Sequence, residues 1–236
     1  MLTRRRRTAA LVAALLTTVT LSACSNASSS TGADSKSPQE VLASAKKALD
    51  ATSGVDISLS TDNLPSNVTG VQKAEGVGTH DPAFDGSITV VLSGQSFQVP
   101  VVSTGGKVYV QLPLTPGWQD IDPGDYGAPD PAQLMSPDKG FSSLLTATTG
   151  VEKGDSVRGG SNNSEVLTEY TGSVPGDVVK NVIPTASGDF DATYTVTDSG
   201  QLREADLTGV FYKNSDPMTY QVTFDGYGTQ KDITAP

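Results

Sequence analysis

With 236 residues, 36% of them hydrophobic, the chain is long enough to enclose one real core. A net charge of −10 argues against electrostatic engagement of nucleic acid or of anionic lipid headgroups. A single cysteine excludes an intramolecular disulfide, and a single histidine excludes a histidine-based metal cluster.

Residues 1–23 read as a bacterial secretion signal. Arg4, Arg5, Arg6 and Arg7 form a cationic n-region that serves either the general or the twin-arginine export route. Ala9 to Thr20 form an apolar run too short to span a bilayer as a helix. The small residues Leu21-Ser22-Ala23 lead into Cys24, the lipobox pattern in which the thiol is acylated and becomes the first mature residue. Loss of the four arginines would leave the mature chain more acidic still, so the membrane attachment expected is by acyl chains, at about 0.8 kcal/mol per buried methylene, and not by charge. Residues 24–37, rich in Ser, Ala, Thr and Gly, read as the acylated cysteine and a flexible tether. Residues 38–236 read as one domain.

Ser37-Pro38-Gln39-Glu40 predicts a helix start: Ser37 as N-cap, Pro38 at N1 and Glu40 completing a capping box. Val41, Leu42, Ala45, Ala48 and Leu49 make one apolar stripe, and Gly54 is the expected stop. From there the period changes to two. Val55, Ile57 and Leu59 alternate with polar residues, followed by Ile88, Val90 and Leu92, then Phe97, Val99 and Val101, then Val108, Val110 and Leu112. The turns Ser93-Gly94-Gln95 and Thr104-Gly105-Gly106 separate them. Two short helices are predicted over Pro131–Met135 and Pro137–Thr146, carrying Leu134, Met135, Phe141, Leu144 and Leu145. Strands are predicted near 151–158 and 165–171, a helix over Pro175–Ile183, and a closing meander over 190–197, 201–211 and 218–225. Tyr194 and Val196 fall on the first strand of that meander, and Met218, Tyr220, Val222 and Phe224 give the cleanest alternation in the chain.

About ten short strands joined mostly by hairpins predict an α+β fold: a single, strongly curved antiparallel sheet, a half-barrel, wrapped around a few helices. If the helices do not fill the concavity, an apolar cavity remains.

The residues carry little catalytic chemistry. His80 lies in Gly78-Thr79-His80-Asp81 with no nucleophile elbow in the chain, and reads as a strand-end or loop residue. Asp120, Asp122 and Asp125 cluster in a loop but lack the spacing and closing glutamate of a calcium loop. Gly159-Gly160-Ser161-Asn162-Asn163 reads as a hairpin turn, not a phosphate loop. No enzymatic activity, cofactor or metal is expected.

Several segments together resemble the actinobacterial lipoproteins of the LppX/LprG type, which carry lipids and glycolipids across the cell envelope. The strongest is Asp130-Pro131-Ala132-Gln133-Leu134-Met135-Ser136-Pro137-Asp138-Lys139-Gly140. Gly106, Tyr109, Leu112, Trp118 and Asp120 match a strand leading to a Trp-x-Asp turn, and Tyr227-Gly228 with Ile233 and Pro236 match the family's end. The Leu64–Gly70 loop and the Val210–Pro217 region depart from its pattern. The resemblance implies a half-barrel with an apolar cavity for acyl chains. It places Ile88, and by strand period Val90 and Leu92, inside. With them go Ile57, Leu59, Phe97, Val99, Val101, Val108, Val110, Tyr194, Val196, Tyr220, Val222 and Phe224. Residues 134–145, with Leu134, Phe141, Leu144 and Leu145, would form the mouth or lid, and Asp120, Gln133 or Lys139 would meet a headgroup there. The implied partners are an acylated glycolipid or triacylglycerol, the membrane through Cys24, and a membrane lipid exporter. The implied location is the outer face of the cell membrane, or the cell wall. Two other readings stand beside it: a structural or partner-binding lipoprotein with a sealed core, and a hydrolase using His80.

Overall fold

The computed structural model describes residues 36–126, 128–160 and 163–236. The expected signal, Cys24 and nearly all of the tether lie outside the described residues, as do Ser161 and Asn162 of the expected glycine-rich turn.

Helix α1 spans Pro38–Ala51. Its predicted capping box is present: the Glu40 amide donates to Ser37 Oγ, and the Ser37 amide donates to Glu40 Oε2 at 2.7 Å. Leu42, Ala45 and Leu49 are buried. The helix stops earlier than expected, at Ala51, where Thr52 turns extended, and Gly54 instead opens the first strand.

Eleven strands form one antiparallel sheet. They are β1 (Gly54–Ser60), β2 (Gly70–Thr79), β3 (Ala83–Leu92), β4 (Gln95–Thr104), β5 (Lys107–Val110), β6 (Gln119–Ile121), β7 (Thr149–Gly159), β8 (Glu165–Val174), β9 (Ser187–Thr197), β10 (Leu202–Val210) and β11 (Met218–Asp225). Their spatial order is β6-β5-β4-β3-β2-β1-β11-β10-β9-β8-β7. The chain therefore makes two meanders, β1 to β6 and β7 to β11, joined where β1 pairs with β11. The sheet is not closed, since β6 and β7 do not pair with each other.

Two strands escaped the periodicity. In β2 the inward positions are Ala74, Gly76 and Gly78, paired with Leu59, Ile57 and Val55 of β1, so no apolar stripe marks it. β6 is only three residues long. The small residues have a packing purpose: a Cβ on Gly76 would come within 2.6 Å of Phe84 Cζ, and one on Gly86 within 2.8 Å. The pair of glycines leaves room for the Phe84 ring to approach the sheet closely.

The segment between the meanders carries two 3-10 turns, Pro123–Tyr126 and Pro131–Met135, and then α2 (Ser142–Ala147). The second turn is capped by Asp130, whose Oδ1 accepts from the Ala132 amide at 2.9 Å. The helix predicted over Pro137–Thr146 is shorter because the chain folds back tightly at Gly140. There the Gly140 amide reaches Ser136 O and the Phe141 amide reaches Leu134 O. A Cβ on Gly140 would meet two carbonyl oxygens at 2.4 Å, so only glycine fits. Helix α3 (Gly176–Val182) follows β8.

The apolar interior divides in two. The larger cluster packs α1, α2 and α3 against β1 and β8–β11, with Leu42, Leu144, Val179, Phe190 and Phe211 at most 0% exposed. The smaller one lies on β3–β5 and consists of Phe84, Val99, Val101, Val108 and Val110. The helices thus fill one half of the concavity only. Among the described residues no helix is long and apolar enough to cross a membrane.

Candidate functional site

Between the two clusters lies a chamber of about 540 Å³, within the ordinary range of ligand cavities. Strand register builds its curved wall. Val222 of β11 faces Leu59 of β1, which faces Ala74 of β2, which faces Ile88 of β3, which faces Val99 of β4. Because side chains alternate between faces, this row and the parallel ones through Val90 and Phe97, and through Val101 and Val110, all point inward. The opposite wall comes from the helices and the loops beside them: Leu134, Phe141, Leu144, Val179, Val182 and Phe211.

Sixteen of the nineteen residues expected at a cavity line this chamber: Ile57, Leu59, Ile88, Val90, Leu92, Phe97, Val99, Val101, Val108, Val110, Leu134, Phe141, Leu144, Tyr220, Val222 and Phe224. Three do not. Leu145, Tyr194 and Val196 lie in the sealed cluster under the helices, with Tyr194 0% exposed. The period-two pattern marks the apolar face of β9 correctly, but that part of the face is covered by helices. Tyr194 Oη donates to Thr148 Oγ1 at 2.9 Å, since the Thr148 proton goes to Leu144 O, and burial pushes its phenol up to about 12.

The wall offers almost no charge. Among the described lining residues Glu75 is the one carboxylate, and an ion pair with Lys73 at 2.7 Å holds that side chain on the outer, half-exposed face. Of the three tyrosines in the lining, Tyr126 stands at the exposed edge, and the hydroxyls of Tyr212 and Tyr220 are spent in a closed ring of hydrogen bonds. Tyr212 donates to Tyr220 at 2.7 Å, Tyr220 donates to Val71 O, and the Val71 amide donates to Tyr212 at 3.1 Å. The Tyr220 phenol is raised, first by burial and then by its neighbour Tyr212. The ring ties β2, where its register slips at Val71, to β11 beyond the end of β1. Nothing in the sequence pattern announced it.

The chamber opens where its lining is exposed. Leu92 at the β3–β4 hairpin, Leu112 and Leu114 after β5, and Tyr126 at the end of the first 3-10 turn all line it, with exposures from 37% to 106%. Of residues 134–145, Leu134, Phe141 and Leu144 line the chamber from within, and its exposed edge is formed instead by Leu92, Leu112, Leu114 and Tyr126. None of Asp120, Gln133 and Lys139 lines it. Asp120 pairs with Lys107 at 2.6 Å, and Asp122 Oδ1 accepts from the Gly124 amide. His80 follows β2 and donates from Nε2 to Leu49 O at 2.7 Å, tying the end of α1 to the sheet. An enclosure of this kind, walled almost entirely by apolar side chains, selects for an apolar ligand.

A family model described as LppX_LprAFG lipoprotein matches residues 37–235. Among solved structures, LprF from Mycobacterium bovis matches with a TM-score of 0.68 and 15% identity, covering 84% of this chain and 96% of that one. LppX from Mycobacterium tuberculosis matches with a TM-score of 0.60 and 16% identity, covering 84% and 98%. At such identities the likeness shows the fold alone. No curated protein matches the sequence.

Proposed function

This chain belongs to the LppX_LprAFG lipoprotein family, and on that premise we propose that it binds the acyl chains of a lipid or glycolipid in its chamber and carries them within the cell envelope. Acylation at Cys24 tethers it to the outer side of the membrane, and a membrane lipid exporter is a partner of stated kind for the onward step. The single observation that carries the reading is the apolar chamber itself, left open between two hydrophobic clusters.

The physical case is direct. An acyl chain in water costs about 25 cal/mol for each Å² of apolar surface, and a vehicle has to replace that water with apolar wall. The residues named above do so without asking any polar group of the ligand for a partner. The same logic assigns the headgroup to the mouth, outside the wall. A sealed-core lipoprotein would have no use for such a space, and an empty cavity of this size in a core costs stability.

The test is uptake. The full chain, stripped of lipid, receives a fluorescent long-chain acyl lipid delivered on cyclodextrin. Saturable uptake into an apolar environment is the expected result. Uptake that never saturates, or none, sinks the reading.

A further inference from the structure

We propose that the exposed apolar rim of the chamber is a docking surface for a zwitterionic lipid bilayer, so that tails pass from membrane to chamber without crossing water. This rests on the carrier reading and names the surface at which it works. Among the described residues six large apolar side chains are exposed: Leu92, Leu112, Leu114, Trp118, Tyr126 and Val166. Four of the six line the chamber, and Trp118 belongs to the same loop as Leu112 and Leu114. Exposure is therefore gathered at one place, continuous with the apolar wall, and not scattered as on an ordinary surface.

Three further observations select a bilayer as the occupant. Leu114 is fully exposed and holds a left-handed φ of 65°, a conformation disfavoured for a leucine. Strain of this kind at an outward apolar tip has no packing reason. The loop 111–118, Gln-Leu-Pro-Leu-Thr-Pro-Gly-Trp, contains no charged residue in a chain of net charge −10, so its burial strands no ion. The rim combines aliphatic tips with one tryptophan and one tyrosine, the two side chains that settle at the headgroup level. Asp122 and Asp125 precede Tyr126 in the chain, and with the net charge they set the surface against anionic lipid. Docking by apolar contact with little help from charge is expected to be insensitive to salt.

Trp118 is the only tryptophan, so its fluorescence reports the rim alone, whatever else holds the chain to a membrane. The full chain is mixed with phosphatidylcholine vesicles whose acyl chains carry bromine. The expected result is a blue shift and loss of Trp118 emission, unchanged by salt and weakened when phosphatidylglycerol replaces part of the lipid. Leu114→Asp, which tolerates the left-handed backbone and removes the anchor from a position without packing partners, should restore the emission. Emission that stays accessible to acrylamide and untouched by brominated lipid overturns the proposal, as does shielding from both quenchers by a dimer. Loading from cyclodextrin separates the two claims. If it persists while Trp118 ignores the vesicles, docking falls and lipid binding stands; if Trp118 is quenched while the chamber takes no lipid, docking stands and the carrier reading falls.

Discussion

Replacing Ile88 with tryptophan plugs the chamber from its wall. Ile88 is half-buried and sits in the middle of the inward row Leu59–Ala74–Ile88–Val99, with the hollow in front of it. Over the isoleucine it replaces, the indole adds the room of about two methylenes, and at about 0.8 kcal/mol each the ligand loses about 1.6 kcal/mol, on the order of tenfold in Kd. Stability should hardly change, because the new ring enters empty space. In a solid core the same substitution would cost about 1–3 kcal/mol through overpacking, and at about 2–4 °C per kcal/mol for a chain of this size the Tm would fall visibly. Two assays decide it: uptake of a fluorescent acyl lipid and thermal unfolding of the lipid-free protein. Normal uptake, or a Tm several degrees lower, would mean that no hollow lies in front of Ile88.

Three further outcomes follow from the polar groups. Asp206 Oδ1 is buried with no hydrogen-bond partner, and burial raises its carboxyl above the ordinary range. A raised folded pKa means that the folded state holds the proton more tightly, so stability falls as pH rises through that value. Asp206→Asn should then be more stable than the parent at neutral pH and equal to it at pH below the ordinary carboxylate range; parallel stability curves across pH would count against this. Tyr194→Phe removes one buried hydrogen bond to Thr148 and should cost about 1 kcal/mol in denaturant unfolding, with lipid uptake unchanged because the ring does not reach the chamber. His80→Ala should cost about as much by freeing the carbonyl of Leu49; a loss of lipid uptake without a loss of stability would show a role beyond that tie.

The two-residue period located most of the chamber wall because it marks which face of each strand is apolar, from Ile57 through Val110 and again at Tyr220–Phe224. It says nothing about what covers that face. Tyr194 and Val196 therefore read the same as Ile88, and only the packing of α3 over β9 and of α1 over β10 separates them; Leu145, on α2, turns into the sealed cluster and not to the chamber. β2 was illegible for the converse reason: its inward side is glycine and alanine, chosen for closeness and not for greasiness. The rim was half legible. Leu112 read as the end of a strand, whereas β5 stops at Val110 and the chain turns out to the mouth. Tyr212 and the Val71 region lie in or beside the segments that depart from the family pattern, and their hydroxyl ring depends on contacts about 140 residues apart in sequence. No local rule reaches that far.

Native mass spectrometry of the protein purified from the envelope of its own host measures most directly whether the chamber holds lipid. The expected spectrum contains a population heavier than the mature, anchored polypeptide by the mass of an acyl lipid, released by detergent and depleted in Ile88→Trp. A wild-type spectrum containing only the bare mature mass, from membranes where the lipids are intact, would contradict it.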